Sequence, residues 1–242
     1  MGENINKFTF GYWQTRGRGH PIRMLLNYLE VDYTEKTYTF EQKQEWFEKD
    51  KQELNMDYPN LPYIIDNDGY KLSESVAILN YIPERFGRKD MLGKTLQDRG
   101  TVQQLLGLTS DFRTIVRNIY FKENWKDILE SELEKPRQQL KIFDKILSKQ
   151  KWLVGDYLTI VDFFFYEYFL CYKNLVQQDG DLYKNIDRFI EDFSKIPQIN
   201  KFMKSSTNQN APGFFPKSKT FIDSIQYHQQ LCQKFLSGQY DI

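Results

Sequence analysis

Residues 8–26 read FTFGYWQTRGRGHPIRMLL, and their order decides the fold. Phe8, Phe10 and Tyr12 alternate with Thr9, Gly11 and Trp13, the period of two that marks a strand. Arg16-Gly17-Arg18-Gly19 is a loop. Pro21 stands where the first turn of a helix starts, and Ile22, Leu25, Leu26 and Leu29 follow at helical spacing. Tyr33 to Phe40 is expected to form a second strand, and Trp46 to Leu54 a short polar helical segment. Pro59-Asn60-Leu61-Pro62 is a sharp turn into a strand at Tyr63-Ile64-Ile65. Asn67-Asp68-Gly69 is a hairpin signal with Tyr70-Lys71-Leu72 as the returning strand. Ser73-Glu74-Ser75 opens a helix carrying Val76, Leu79 and Ile82, in which Pro83 is expected to cause a kink or an early end. The order is strand, helix, strand, helix, strand, strand, helix.

From about residue 90 strand signals fade. Residues 96–121, 127–150, 159–178 and 183–204 support helices. In the second of these, Leu133, Leu140, Phe143 and Leu147 share a face, and Pro136 is the awkward residue, tolerable near a start or as a kink. Thr159-Ile160-Val161-Asp162 reads as a capping box with an acid in place of the usual Glu. The tail, 205–242, holds a Pro/Phe turn and then a Gln-rich segment.

The bulk composition narrows the function. With 33 basic and 33 acidic residues in 242, the formal net charge is zero, which argues against a general nucleic-acid binder. Cys171 and Cys232 form neither a CxxC pair nor a zinc-type spacing, and His20 and His228 make no His-rich metal site. A reducing compartment and a chemistry independent of protein thiols and metals are expected. No apolar run approaches the length of a membrane span, and no secretory signal is read at the start. Gly2 alone does not make a myristoylation site, because position 6 is Asn.

The motifs carry a resemblance. Gly11-Tyr12-Trp13 with Arg16-Gly17, His20 and Ile22-Arg23 resembles the opening of Mu-class glutathione transferases. Asp57-Tyr58-Pro59-Asn60-Leu61-Pro62-Tyr63 resembles the turn before that class's third strand. Glu74-Ser75-Val76-Ala77-Ile78-Leu79 resembles the γ-glutamyl-binding motif of transferases in general. Trp152, Gly155-Asp156 and Thr159 to Asp162 are similar to the family's helical-domain capping motif, and Lys204-Ser205-Ser206 to its late helix end. The similarity runs from about residue 8 to 220.

This resemblance implies an α/β thioredoxin-like N-terminal domain, 1–88, and an all-α C-terminal domain with an extension, 89–242. It implies conjugation of the glutathione thiolate to electrophilic, mostly apolar substrates, in the cytoplasm, in detoxification, with glutathione as cosubstrate and no cofactor. Tyr12 is the implied catalytic residue. Trp13, Trp46, Asn60, Leu61, Glu74 and Ser75 are the implied glutathione contacts, with Lys51 or Lys49 for the glycyl carboxylate. Asp111 matches an acid that reaches a partner's glutathione, or is a solvated helix face. Arg18, Tyr120 and Phe214 are candidates for the electrophile pocket, the last two equally candidates for core packing. A homodimer is implied, with Tyr58 as the aromatic key, and a larger assembly through the tail is open. His20 reads as structural.

The chemistry behind these roles is simple. A free thiol has a pKa of about 8.5 and is mostly protonated at neutral pH. Attack on an electrophile needs the thiolate, and a hydroxyl aimed at the sulfur lowers the pKa. If the Leu61–Pro62 bond is cis, as in the family, Leu61 offers its backbone to an extended tripeptide. Ser75 at a helix start suits a carboxylate. The sequence also departs from the Mu pattern. The Tyr38–Trp46 segment is shortened, Arg18 replaces an apolar residue, and Glu74 replaces Gln. Those departures leave two alternatives: a non-catalytic structural subunit or ligand-holding protein, and a glutathione-dependent prostaglandin isomerase.

Overall fold

A computed structural model describes residues 7–121, 125–175 and 183–209, of which 110, 113, 115–121, 125–126, 173–175 and 209 are described by their backbone alone. Strand β1 (Phe8–Trp13) leads through the glycine-rich loop into helix α1 (His20–Tyr28) and strand β2 (Tyr33–Tyr38). A π-helical turn, Glu45–Asp50, runs into α2 (Lys51–Glu53). Strands β3 (Tyr63–Ile65) and β4 (Lys71–Ser73) and helix α3 (Ser75–Arg85) complete this half. The sheet order is β2-β1-β3-β4, with β1 parallel to β2 and the other pairs antiparallel. The element order is the one read from the sequence pattern, and the arrangement is the thioredoxin-like one that the resemblance implied.

Alternation in β1 has the expected effect: Phe8, Phe10 and Tyr12 are buried. Gly11 is needed because Tyr63 lies across it; a Cβ there would stand 2.1 Å from Tyr63 Cε1. Helix α1 buries Ile22, Met24, Leu25 and Leu26 completely and packs against α3, α6 and α8.

The second half is helical: a 3₁₀ turn (Lys89–Leu92), then α4 (Leu96–Phe121), α5 (Trp125–Leu147), α6 (Ile160–Leu175), α7 (Lys184–Ser194), α8 (Pro197–Met203) and α9 (Ser206–Gln209). Helix α6 is apolar on nearly every side, as a helix surrounded by others must be. Its Phe165 and Tyr168 pack on Phe112 of α4, and Phe165 and Phe169 on Phe143 of α5. Such ring pairs contribute about 0.5–1.5 kcal/mol each beyond the area they bury.

Several expected boundaries move. Strand β2 ends at Tyr38, not Phe40. The stretch 183–204 is two helices, because Pro197 holds Ile196 in an extended conformation (φ −58°, ψ 126°). Helix α3 runs through Pro83 to Arg85, and α5 accepts Pro136 in its interior. The Thr159–Asp162 motif is not a reciprocal box. Thr159 N–H and Oγ1–H both donate to Asp162 Oδ2 (2.7 and 3.0 Å), and Leu153 N–H donates to Oδ1 (2.9 Å). Burial nonetheless pushes the Asp162 carboxyl up to about 6, against the pull of those donors. The reciprocal box lies at the start of α4, between Thr95 and Asp98 (3.1 and 3.0 Å).

Candidate functional site

The site grows from the C-terminal end of β1. Tyr12 is 6% exposed, and its hydroxyl oxygen accepts the backbone N–H of Arg18 at 2.9 Å. That contact exists because the loop backbone lies directly on the phenol. A Cβ at Gly17 would stand 2.7 Å from Tyr12 Oη, and one at Gly19 would stand 2.3 Å from Cδ1. The loop is gripped from beneath by Arg23. Its guanidinium donates to the carbonyls of Thr15 (2.6 Å) and Trp13 (3.0 Å) and to Glu35 (2.7 Å), and lies 5.6 Å from the Tyr12 ring centroid. Accepting the Arg18 N–H polarises the phenol and strengthens its hydroxyl as a donor.

The rest of the site comes from the neighbouring strands. Gly11 pairs with Tyr63 in the antiparallel register of β1 and β3, so the residues before Tyr63 run beside Tyr12 and Trp13. The Leu61–Pro62 bond is cis. Asn60 spans this turn: its Oδ1 accepts the Leu61 N–H (2.9 Å) and its Nδ2 donates to Glu74 Oε1 (2.9 Å). The Leu61 amide, expected to face a ligand, is thus bonded to its neighbour, and a ligand acceptor has to displace Asn60 Oδ1. Ser73 Oγ donates to the Tyr58 carbonyl (2.6 Å), tying the turn to β4. Glu74 has φ 70°, a conformation that costs a non-glycine residue on the order of 1–3 kcal/mol. Ser75, buried, is the first residue of α3, where helix N–H groups point outward.

The remaining expected residues fall in different places. Trp13 is half-buried and stacks on Phe40 (5.1 Å), with Phe47 at 6.0 Å. Trp46 is 3% exposed, packed on Tyr63 and Tyr38, and so presents little surface to a ligand. Beneath it Tyr38 donates to Asp50 (2.7 Å), which also holds Lys36 (2.5 Å). Lys49 and Lys51 are both exposed at the junction of the π-turn and α2. The Arg18 side chain is exposed, while its backbone serves Tyr12. Asp111 is exposed on α4 and meets Lys135 of α5 at 3.5 Å. Tyr120 lies in α4 with its side chain outside what is described, and Phe214 lies outside the described residues. His20 is buried against Phe202. No group of three or more His, Cys, Asp or Glu residues that could hold a metal occurs among the described residues. A cleft of about 510 Å³ lined by Tyr28, Phe86, Arg88 and Trp152 lies at the opposite end of α1 from the loop beside Tyr12.

The sequence motifs include Arg23 without a role for it, and they do not include Glu167 or Asn208. Arg16, treated as part of a loop, is fully buried and paired to Glu167, with a further bond to Asn208 (2.9 Å). A signal existed for two of these: Arg23 interrupts the buried face of α1, and Glu167 is the lone acid inside the run FFFYEYFL. Charges in such places are seldom left without a partner.

Known proteins match both halves of the chain. The family "Glutathione S-transferase, N-terminal domain" matches residues 8–84, and "Glutathione S-transferase, C-terminal domain" matches residues 110–206. The chain is 32% identical over 211 residues to Glutathione S-transferase 2 of Gallus gallus, covering 86% of this chain and 94% of that one. It is 34% identical over 207 residues to Glutathione S-transferase Mu 7 of Rattus norvegicus, covering 82% and 91%. Among solved structures, the glutathione S-transferase Blo t 8 superposes with a TM-score of 0.76 at 27% identity, covering 87% of this chain and 98% of that chain. Rat hPGDS complexed with a quinoline shares the fold, with a TM-score of 0.66 at 22% identity over 81% and 96%.

Proposed function

The chain belongs to the glutathione S-transferase family, and from that premise we propose that it joins glutathione to electrophilic, mostly apolar substrates, with Tyr12 as the group that stabilises the thiolate. The observation that carries the reading is the Tyr12 hydroxyl, held by the Arg18 N–H at the sheet end where the cis Leu61–Pro62 turn and Glu74-Ser75 also lie. An ordinary phenol has a pKa of about 10 and keeps its proton at neutral pH, so Tyr12 donates to sulfur and does not act as a base. If donation lowers the thiol pKa by about two units, it contributes roughly 2.7 kcal/mol to thiolate formation. Glutathione is a cosubstrate, and neither a cofactor nor a metal enters this scheme.

The tripeptide lies along Leu61 as an added strand. Its γ-glutamyl carboxylate meets Ser75 and the start of α3, beside Glu74 and Asn60. Trp13 and Trp46 help hold the tripeptide, Trp13 also walling the electrophile pocket and Trp46 acting mainly by packing, and either Lys51 or Lys49 serves the glycyl carboxylate. The second substrate sits toward Arg18, Tyr120 and Phe214. Residues 1–88 form the glutathione-binding domain and 89–242 the helical one. The protein works in the cytoplasm, in detoxification, as a homodimer in which Tyr58 enters the partner and Asp111 faces the partner's site. In support, Tyr58 is 81% exposed in the single chain, and no helix among the described residues is long and apolar enough to cross a membrane. A structural subunit, a ligand-holding protein and a prostaglandin isomerase are not favoured, since the relatives at this level of identity are named as transferases.

Tyr12→Phe tests the reading. It keeps the ring and removes the hydroxyl, so glutathione affinity is expected to change little. The rate with an aromatic halide at neutral pH is expected to fall roughly tenfold to a hundredfold, and less at high pH. The thiolate absorbance of bound glutathione, titrated in both proteins, measures the shift. A wild-type thiol that titrates near its value in solution removes Tyr12 from the mechanism.

A further inference from the structure

The Tyr12 hydroxyl accepts the backbone N–H of Arg18, and this residue stands between two glycines. A segment with so much conformational freedom does not keep a hydrogen bond at 2.9 Å unless it is fixed nearby. Arg23 fixes its entrance, at the carbonyls of Trp13 and Thr15. The second anchor is Arg16, the residue just before Gly17. The Arg16 carbonyl accepts the His20 N–H (2.9 Å) and so begins α1. The Arg16 side chain leaves the sheet half altogether. Its Nε (3.0 Å) and Nη2 both donate to the Glu167 carboxylate of α6, and its Nη1 donates to Asn208 Oδ1 of α9 (2.9 Å). Both partners of the ion pair are buried, and the separations along the chain are 151 and 192 residues. Asn208 is itself held by the Met203 carbonyl (2.8 Å), and His20 Nε2 lies 3.8 Å from Glu167 Oε1.

The geometry points to Glu167 as a positioning residue for the reaction: through its buried pair with Arg16, and with Asn208 beside it, the helical half sets the loop that presents the Arg18 N–H to Tyr12. Burying two charges is costly, and an apolar contact of the same volume holds two elements together at least as well. What the forked pair supplies is direction, because a guanidinium bonded through two nitrogens to a carboxylate has its plane and distance fixed. A displacement of the loop by a few tenths of an ångström weakens the bond to the phenol oxygen without touching the residues that bind the tripeptide. The inference rests on the Tyr12 reading above, and it assigns part of the thiol's acidity to α6 and α9, neither of which touches glutathione in that reading.

The test compares Glu167→Gln, Asn208→Ala and wild type in the full-length protein. Glu167→Gln keeps the shape and removes the charge. It is expected to raise the thiol pKa of bound glutathione by about half a unit to one unit, and to lower kcat at pH 6.5 roughly threefold to tenfold, the equivalent of that shift. Glutathione affinity by calorimetry stays within about twofold, and the kcat deficit narrows as the pH rises. In a Tyr12→Phe background the same change has no further effect on the thiol, because the group it positions is gone. Asn208→Ala, which leaves the ion pair in place, shifts the thiol in the same direction by less, and it decides the matter should Glu167→Gln fail to fold. A depressed wild-type thiol that is unchanged in the folded variants overturns this inference alone, as does a full effect of Glu167→Gln without Tyr12's hydroxyl. A wild-type thiol at its value in solution overturns the Tyr12 reading and this inference with it.

Discussion

At the scale of single residues, the site depends on absent atoms. Gly19 allows the loop to lie on the Tyr12 ring, and a methyl group there would stand 2.3 Å from Cδ1. Gly19→Ala is therefore expected to destabilise the protein by about 1–3 kcal/mol through overpacking. It is also expected to raise the thiol pKa of bound glutathione although Tyr12 is still present. Thermal unfolding and the thiolate titration check the two effects separately; a variant with wild-type melting temperature would show that the ring has room to shift. The sequence made these glycines visible as a loop but not as the bed of a tyrosine, since the contact is between backbone and ring. Tyr12, Leu61-Pro62 and Ser75 were legible because their residue types and order are constrained together. The Asn60 bond to the Leu61 amide was not, because it is decided by the local path of a turn whose residues would suit many turns. Arg16 was legible as a loop residue, but its burial was not. Its burial depends on an acid in the middle of α6, and no short-range pattern joins the two.

At the scale of elements, β3 is tied to α3 by one carboxylate. Asp66, fully buried just past β3, accepts the Tyr81 hydroxyl, the Arg85 guanidinium (2.5 Å) and the Asn67 N–H (2.6 Å). Burial alone would push this carboxyl up, but Arg85, Tyr81 and the Asn67 N–H together hold it below the usual range. A carboxyl whose folded pKa is depressed adds stability above its unfolded pKa of about 3.9 and loses it as the pH falls through the folded value. Asp66→Asn is accordingly expected to cost about 1–3 kcal/mol at neutral pH. The gap to wild type should begin to shrink below about pH 4, where the unfolded chain's carboxyl takes up its proton, and close as the pH falls through the lower folded value. Denaturant unfolding at pH 7 and pH 3 checks this, and a gap that does not narrow in acid would mean that the charge is not what ties the elements. Most elements could be read from periodicity, but their ends could not. The chain stops β2 at Tyr38 and divides 183–204 at Pro197, and in the second case the proline was in plain view while helical spacing on both sides concealed the break.

At the scale of the whole molecule, order was the legible property: a strand-and-helix half followed by helices, and motifs in one sequence along the chain. The contacts between the halves were not legible, because α1 meets α6 and α8 across well over a hundred residues of chain. Assembly belongs to this scale. Tyr58 stands 81% exposed on a turn whose backbone Ser73 braces at the Tyr58 carbonyl, so its ring projects from a fixed point. Tyr58→Ala is expected to shift a dimer toward monomer by a few kcal/mol, the usual weight of an aromatic anchor. Sedimentation at micromolar concentration reads this directly, and a monomeric wild type would end the dimer reading. The sheet order bears on the same question. Its outer strands are β4, only three residues long, and β2, whose Glu35 and Lys36 are engaged by Arg23 and by Asp50 and Glu45. A brief margin and a charged one are poor templates for a further strand. Crowded copies of this chain are thus steered away from knitting their sheets into fibrils, and recognition between them is left to side chains that project from turns and helices.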